Sequence, residues 1–225
     1  MPQFESMRHH MVKRQLLPEG VTNPAVLEAF SEIAREKFVP QSLARIAYMD
    51  AHFPLNKRRF LLRPATLARL LEACRFLPSH KILYIGCGSG YGPALLAHMG
   101  LSGIALDCED IFTQETERLL QELEYSSLGV VLGPLEEGWK TAGPYDRIFV
   151  EGAIDFLPEM LAAQLKKEGE LIALNPRGKA IKYVKKDRLS EIYLFDASGP
   201  HLPGFKTQKI FDFSGKRPGF VYGKS

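Results

Sequence analysis

The chain has 225 residues, 45% of them hydrophobic and 24% charged, which suits one soluble α/β domain with decoration and a sizeable core. Its formal net charge of +3 demands neither nucleic acid nor an anionic membrane as partner. Three cysteines, Cys74, Cys87 and Cys108, form no C-x-x-C pair, so they suit a reducing compartment and suggest neither a disulfide framework nor a zinc site.

The first ten residues are polar, without the apolar stretch of a secretory signal, and no apolar run approaches the roughly 18 residues of a membrane span. A cytoplasmic protein is expected. Residues 3–16 predict an amphipathic helix with Phe4, Met7, Met11 and Val12 on one face. Asn23-Pro24 predicts a helix start, with asparagine as cap and proline at the first helical position, running through Val26, Leu27 and Phe30 and closing before Val39-Pro40. Residues 41–63 are looser, aromatic and basic. Pro64 opens a helix with Leu67, Leu70, Leu71 and Cys74 at core spacing.

From Lys81 the pattern alternates: strand 81–85, helix 91–99, strand 103–107, helix 110–124, strand 128–132, strand 146–151, helix 157–166 and strand 170–174. Such alternation predicts a parallel sheet with helices on both faces. Lys179–Lys186 and Leu189–Phe195, joined by a Lys-Asp-Arg turn, predict a hairpin that adds an antiparallel edge. A boundary is expected near Leu77-Pro78-Ser79. It would separate a helical cap with its loop segment (1–78) from the sheet domain (79–225), the two forming one unit.

Strand 81–85 runs into Gly86-Cys87-Gly88-Ser89-Gly90, and Asp107 closes the next strand. Glycines admit positive φ and close backbone approach, while an acid at the end of the second strand accepts ribose hydroxyls. The spacing is G-x-G-x-G, not the G-x-G-x-x-G of dinucleotide folds. It points to S-adenosylmethionine, which has no pyrophosphate to seat. The bland alternative, a glycine-rich turn of any α/β protein, loses ground once Asp107 is in place.

Several segments resemble the protein-L-isoaspartate O-methyltransferase family: Met11–Leu16, Val26–Phe30, Arg35–Pro40, Ala47–Asp50 with Pro54-Leu55, Gly86–Tyr91, Gly138-Trp139, Pro144–Asp146 and Gln164–Lys167. The resemblance spans roughly residues 7–176. It implies a class I S-adenosylmethionine-dependent methyltransferase, Rossmann-like, with a seven-stranded sheet and a reversed last strand. It further implies carboxyl methylation of isomerised aspartates in a protein or peptide. Gly86, Cys87, Gly88, Gly90, Asp107, Gly133 and Leu135 would hold the cofactor.

The chain departs from the family pattern at the substrate segment. Phe60 and Leu62 stand where the family has a threonine and a serine facing the substrate carboxylate, so no catalytic residue is assigned. Tyr84 replaces the acid two positions before the first glycine, and Pro134 replaces the acid of the adenine turn. This altered pattern, with Leu194–Phe205 near the end, resembles a divergent bacterial branch.

In place of the hydroxyls stand Lys57, Arg58, Arg59 and Arg63. Arg58, Arg59 and Arg63 are candidates to clamp an anionic substrate by bidentate hydrogen bonds, against the alternative of a solvated basic loop. Glu151 ends its strand near the expected methyl position, with a solvent-facing strand-end acid as the commoner reading. His9 and His10 are adjacent on a helix and His52 and His201 lack ligand spacing, so no metal site is expected. A second reading of the whole chain is a catalytically inactive protein of this fold that binds a ligand or partner.

Overall fold

The computed structural model describes residues 2–205. Helix α1 (Pro2–Met11) continues as a wider π turn through Leu16, and α2 (Pro24–Glu32) follows. As expected, Asn23 caps α2: its side-chain oxygen accepts the backbone N–H groups of Ala25 and Val26, and Pro24 lacks the N–H that would otherwise be orphaned. The basic stretch is not featureless. Two short strands, β1 (Phe53–Pro54) and β2 (Phe60–Leu61), pair antiparallel before α3 (Pro64–Ala73).

The alternating region then reads β3 (Lys81–Ile85), α4 (Tyr91–His98), β4 (Ser102–Asp107), α5 (Asp110–Glu122), β5 (Leu128–Leu132), β6 (Tyr145–Ala153), α6 (Glu159–Ala163), β7 (Leu165–Asn175), β8 (Lys179–Lys185) and β9 (Leu189–Asp196). The last seven strands form one sheet in the order β5-β4-β3-β6-β7-β8-β9. Strands β3 to β7 are parallel, and β8 runs antiparallel to both β7 and β9. The predicted hairpin is present; the reversed strand is β8, and β9 returns to the direction of β7.

Both faces of the central strands are covered. Ile82, Tyr84 and Phe149 point into a core shared with α2, α3 and α4. Their neighbours Leu83, Ile85, Ile148 and Val150 point into a second core with Leu135, Leu161 and Phe205. That explains the near-continuous apolar runs, since a parallel strand buried on both sides shows no polar alternation. The first core also takes in Met11, Val26, Phe30 and Leu62, so the N-terminal helices pack directly on the sheet.

Chain order reverses at β3, with β4 and β5 on one side and β6 and β7 on the other. The carboxyl ends of β3, β4 and β6 therefore open on the crevice where ligands bind in open α/β sheets.

Candidate active site

Gly86, Gly88 and Gly90 have φ of +81°, +52° and +87°, a turn that residues with a side chain adopt only under strain. The turn is tied to β4 by Gly86 N–H, which donates to the Leu106 carbonyl at 2.9 Å. It is tied again by Gly88 N–H, which donates to Asp107 Oδ2 at 2.8 Å. Asp107 itself is fully buried, and its Oδ1 accepts the backbone N–H groups of Cys108 (2.8 Å) and Glu109 (3.2 Å).

Arg59 completes this site from above. Its Nη1 and Nη2 donate to Asp107 Oδ1 and Oδ2 at 2.5 and 2.8 Å, a bidentate pair sealed from solvent. Burial alone would lower the Arg59 pKa, but the carboxylate outweighs it and the net direction is upward. The other two arginines assigned to an anionic substrate lie differently. Arg63 is half-buried, with ion pairs to Asp50 at 2.7 Å and Glu19 at 3.6 Å, and Arg58 is exposed. Arg59 is thus engaged inside the molecule, and the basic segment 56–63 is not a uniformly solvated loop.

The floor is a second buried polar group. Tyr84 donates its hydroxyl to Glu151 Oε2 at 2.6 Å, and its ring stacks 4.8 Å from Phe149. Gly92 is required here, because a Cβ at that position would fall inside the Tyr84 hydroxyl. Glu151 is 4% exposed, which overturns its reading as a solvent-facing strand-end acid. It follows Phe149 by two positions in a strand covered on both faces, so its side chain enters the same core. Burial pushes its carboxyl up to about 7, against the opposing pull of the Tyr84 hydroxyl, Arg59, the Leu62 backbone and Arg35.

Arg35, assigned no role from sequence, is fully buried above this floor. It donates to the carbonyls of Ala47 (2.9 Å) and Leu62 (2.7 Å) and lies 4.9 Å from the Tyr91 ring centre. Arg35, Glu151, Arg59 and Asp107 form a buried set of alternating sign.

The remaining expected positions fall as follows. Leu62 is in the first core with its carbonyl held by Arg35, and Phe60 is half-buried in β2. Cys87 is buried, and its sulfur accepts the Thr116 hydroxyl at 3.6 Å; burial raises the thiol pKa well above its ordinary value, so it is a packing residue and no nucleophile. Gly133 N–H donates to the Asp107 carbonyl, and Leu135 buries its side chain in the second core. No cluster of histidine, cysteine or acidic groups suited to a metal occurs among the described residues. No helix among them is long and apolar enough to cross a membrane.

The glycine turn and the carboxylate at the end of β4 match in kind what an adenosyl ribose requires. In this conformation, however, both Asp107 oxygens are held by Arg59, while Leu55 lies over Gly88 and Leu202 over Gly86. The donor set is of the kind that would hold the cofactor, with Arg59 occupying its carboxylate in this conformation. A hollow of about 610 Å³ opens instead beside Pro134, between Trp139, Pro144, Met160 and Gln164, and none of Gly86, Gly88, Gly90 or Asp107 lines it.

Comparison with known proteins bears on the family and the fold. The profile of the family described as Protein-L-isoaspartate(D-aspartate) O-methyltransferase matches residues 7–194. A protein-L-isoaspartate O-methyltransferase of Gloeobacter violaceus is 38% identical over 162 residues, covering 72% of this chain and 79% of that protein. One of Syntrophus aciditrophicus is 35% identical over 192 residues, covering 85% and 88%.

Among solved structures, a protein-L-isoaspartate O-methyltransferase superposes with a TM-score of 0.75 at 24% identity, covering 88% of this chain and 66% of its own. A putative enzyme of the same name from Plasmodium falciparum, in complex with S-adenosyl-L-homocysteine, superposes with a TM-score of 0.71 at 18% identity, covering 88% and 96%. These two likenesses establish the fold, that of class I methyltransferases. By the extent of the profile match and the identity to its relatives, the chain belongs to the protein-L-isoaspartate (D-aspartate) O-methyltransferase family.

Proposed function

We propose that the chain is an S-adenosylmethionine-dependent O-methyltransferase that esterifies the carboxylate of isomerised aspartyl residues in proteins or peptides, a protein-repair step in the cytoplasm. The observation that carries this reading is the conjunction at the switch point: a glycine turn held at positive φ beside a buried acid that ends β4. Free thiols at Cys74, Cys87 and Cys108 suit a reducing compartment.

The bound cofactor would supply an activated methyl group on a sulfonium. The residues of the chain have little proton transfer to perform, because a carboxylate whose ordinary pKa is about 4 is already ionised at neutral pH. Their work is to bind, orient and exclude water, which can contribute on the order of 7–11 kcal/mol. Gly86, Gly88 and Gly90 let the backbone approach the ligand, and Asp107 holds the ribose. Arg58 and Arg63 remain at the substrate side as candidate contacts for an anionic acceptor. Glu151, near the expected methyl position, titrates close to neutrality and sets the charge of the floor.

Phe60 and Leu62 offer no hydroxyl to orient the acceptor, so turnover on an isoaspartyl peptide is expected to fall far below that of a relative retaining both hydroxyls. The test is transfer of tritiated methyl to an isoaspartyl peptide and to its aspartyl twin, with alkali-labile label counted as released methanol. Label in the isoaspartyl peptide alone, at a low rate, is the expected result. No label in either peptide ends the reading, and a rate equal to the hydroxyl-bearing relative shows that the two positions do not orient the acceptor.

A further inference from the structure

We propose that Arg59 is a gate on the cofactor seat, holding Asp107 in the closed chain and passing to Glu109 when a ribose takes the carboxylate. The inference rests on the reading of the chain as an S-adenosylmethionine enzyme and adds how its site opens.

Asp107 receives five donors: two from Arg59 and one each from the backbones of Gly88, Cys108 and Glu109. A carboxylate offers about four lone-pair sites, which these donors already fill, so two ribose hydroxyls can enter only in exchange for two of them. Something must leave. The backbone donors belong to the glycine turn and the end of β4 and cannot withdraw without dismantling the sheet edge. Arg59 directly precedes β2, in a hairpin of only two residues per strand. Its turn is closed by Leu55 N–H to the Arg59 carbonyl at 2.9 Å and by Asn56 Oδ1, which accepts from Arg58 and Arg59.

A destination is already built. Glu109 Oε1 lies 4.0 Å from Arg59 Nη1 and its side chain is 31% exposed, so it is the next acid outward on the same path. Asn56, on the hairpin turn, donates to Glu109 Oε2 at 2.8 Å and keeps the two elements together. A guanidinium moving from Asp107 to Glu109 never loses a carboxylate partner, which lowers the cost of leaving a buried site. Leu55 rides on the same hairpin and lies against the Cβ position of Gly88, so one movement clears both the carboxylate and the glycine turn.

The test is calorimetric titration of S-adenosylhomocysteine, which cannot react, into the parent chain, Arg59→Gln and Glu109→Gln. Amide hydrogen exchange of the parent is measured with and without the ligand. Arg59→Gln removes the competitor and should bind at least about tenfold tighter, while Glu109→Gln removes the outer partner and should bind several-fold weaker. In the parent, ligand should speed exchange at Leu55 and Asn56, whose amides bond to the Arg59 carbonyl. Binding by Arg59→Gln no tighter than the parent overturns the gate and leaves the enzyme reading intact. Slowed exchange at Leu55 and Asn56 does the same, and remains decisive if a variant fails to fold. No binding by either the parent or Arg59→Gln at millimolar ligand overturns both.

Discussion

Asp107→Ala is expected to cost the protein up to about 3–5 kcal/mol of stability as well as its cofactor affinity, because the Arg59 guanidinium loses its bidentate partner in a sealed site and keeps only Glu109, 4.0 Å away. From sequence alone the acid reads as a ligand contact; the structure makes it the hub of a buried ion pair. Three backbone donors lose their acceptor at the same time, at Gly88, Cys108 and Glu109. Urea denaturation at neutral pH is the measurement, with the midpoint falling while the slope stays constant. Asp107→Ala combined with Arg59→Ala should recover part of the loss, since no buried charge is then unpaired, but not the share owed to the backbone donors. A single variant as stable as the parent would mean that the pair is broken by solvent and that Arg59 is not buried as described.

Glu151→Gln is expected to raise stability by up to about 3 kcal/mol at pH 8 and to change it little near pH 4. The sign follows from the direction of the shift. The folded-state pKa, about 7, lies above the ordinary carboxylate value of 4.5, so the native chain binds more protons than the unfolded chain between these limits. Stability is therefore lost as pH rises through that window and stays lost above it. Glutamine carries no charge to desolvate and still accepts from the Tyr84 hydroxyl. Urea midpoints of both proteins at several pH values between 4 and 8 give the difference directly. A difference that does not vary with pH would place the titration of Glu151 elsewhere. Tyr84→Phe should push the Glu151 carboxyl further up, since the hydroxyl favours its charged form.

Much of this architecture is legible in the amino-acid order, and the exceptions have local causes. The Asn23 cap, the glycine turn and strand β3 follow from side-chain chemistry that acts within a few residues. Helix α6 is shorter than its 157–166 pattern suggests because β7 begins at Leu165, where it pairs with Tyr145, and the ladder is then interrupted before resuming at Glu170. Periodicity alone does not reveal that pairing, which depends on a strand distant in the chain. The β1–β2 hairpin escapes because two-residue strands carry no alternation.

The active-site misses are of another kind. Arg59 reads as one of several surface cations until the fold brings Asp107 beneath it. A weak signal exists, since Arg59 directly precedes the apolar run Phe60–Leu62, and a charge bordering such a run enters the core only with a partner. Glu151 had a stronger signal. It shares a face with Phe149 and directly follows the apolar run Ile148–Val150, a pattern that favours a strand buried on both sides over a solvent-facing end. Arg35 lies within a recognised family segment, yet its contacts with Ala47 and Leu62 join three separate stretches of chain.

If this chain seats S-adenosylmethionine between the glycine turn and Asp107, equilibrium titration of the wild-type protein with S-adenosylmethionine will show it. Saturable binding at one site in the micromolar range is expected, displaced by S-adenosylhomocysteine and weakened at least about tenfold by Asp107→Ala, given charge-assisted hydrogen bonds of about 1.5–3 kcal/mol each. Absence of binding at millimolar cofactor, in a protein shown to be folded, would contradict it.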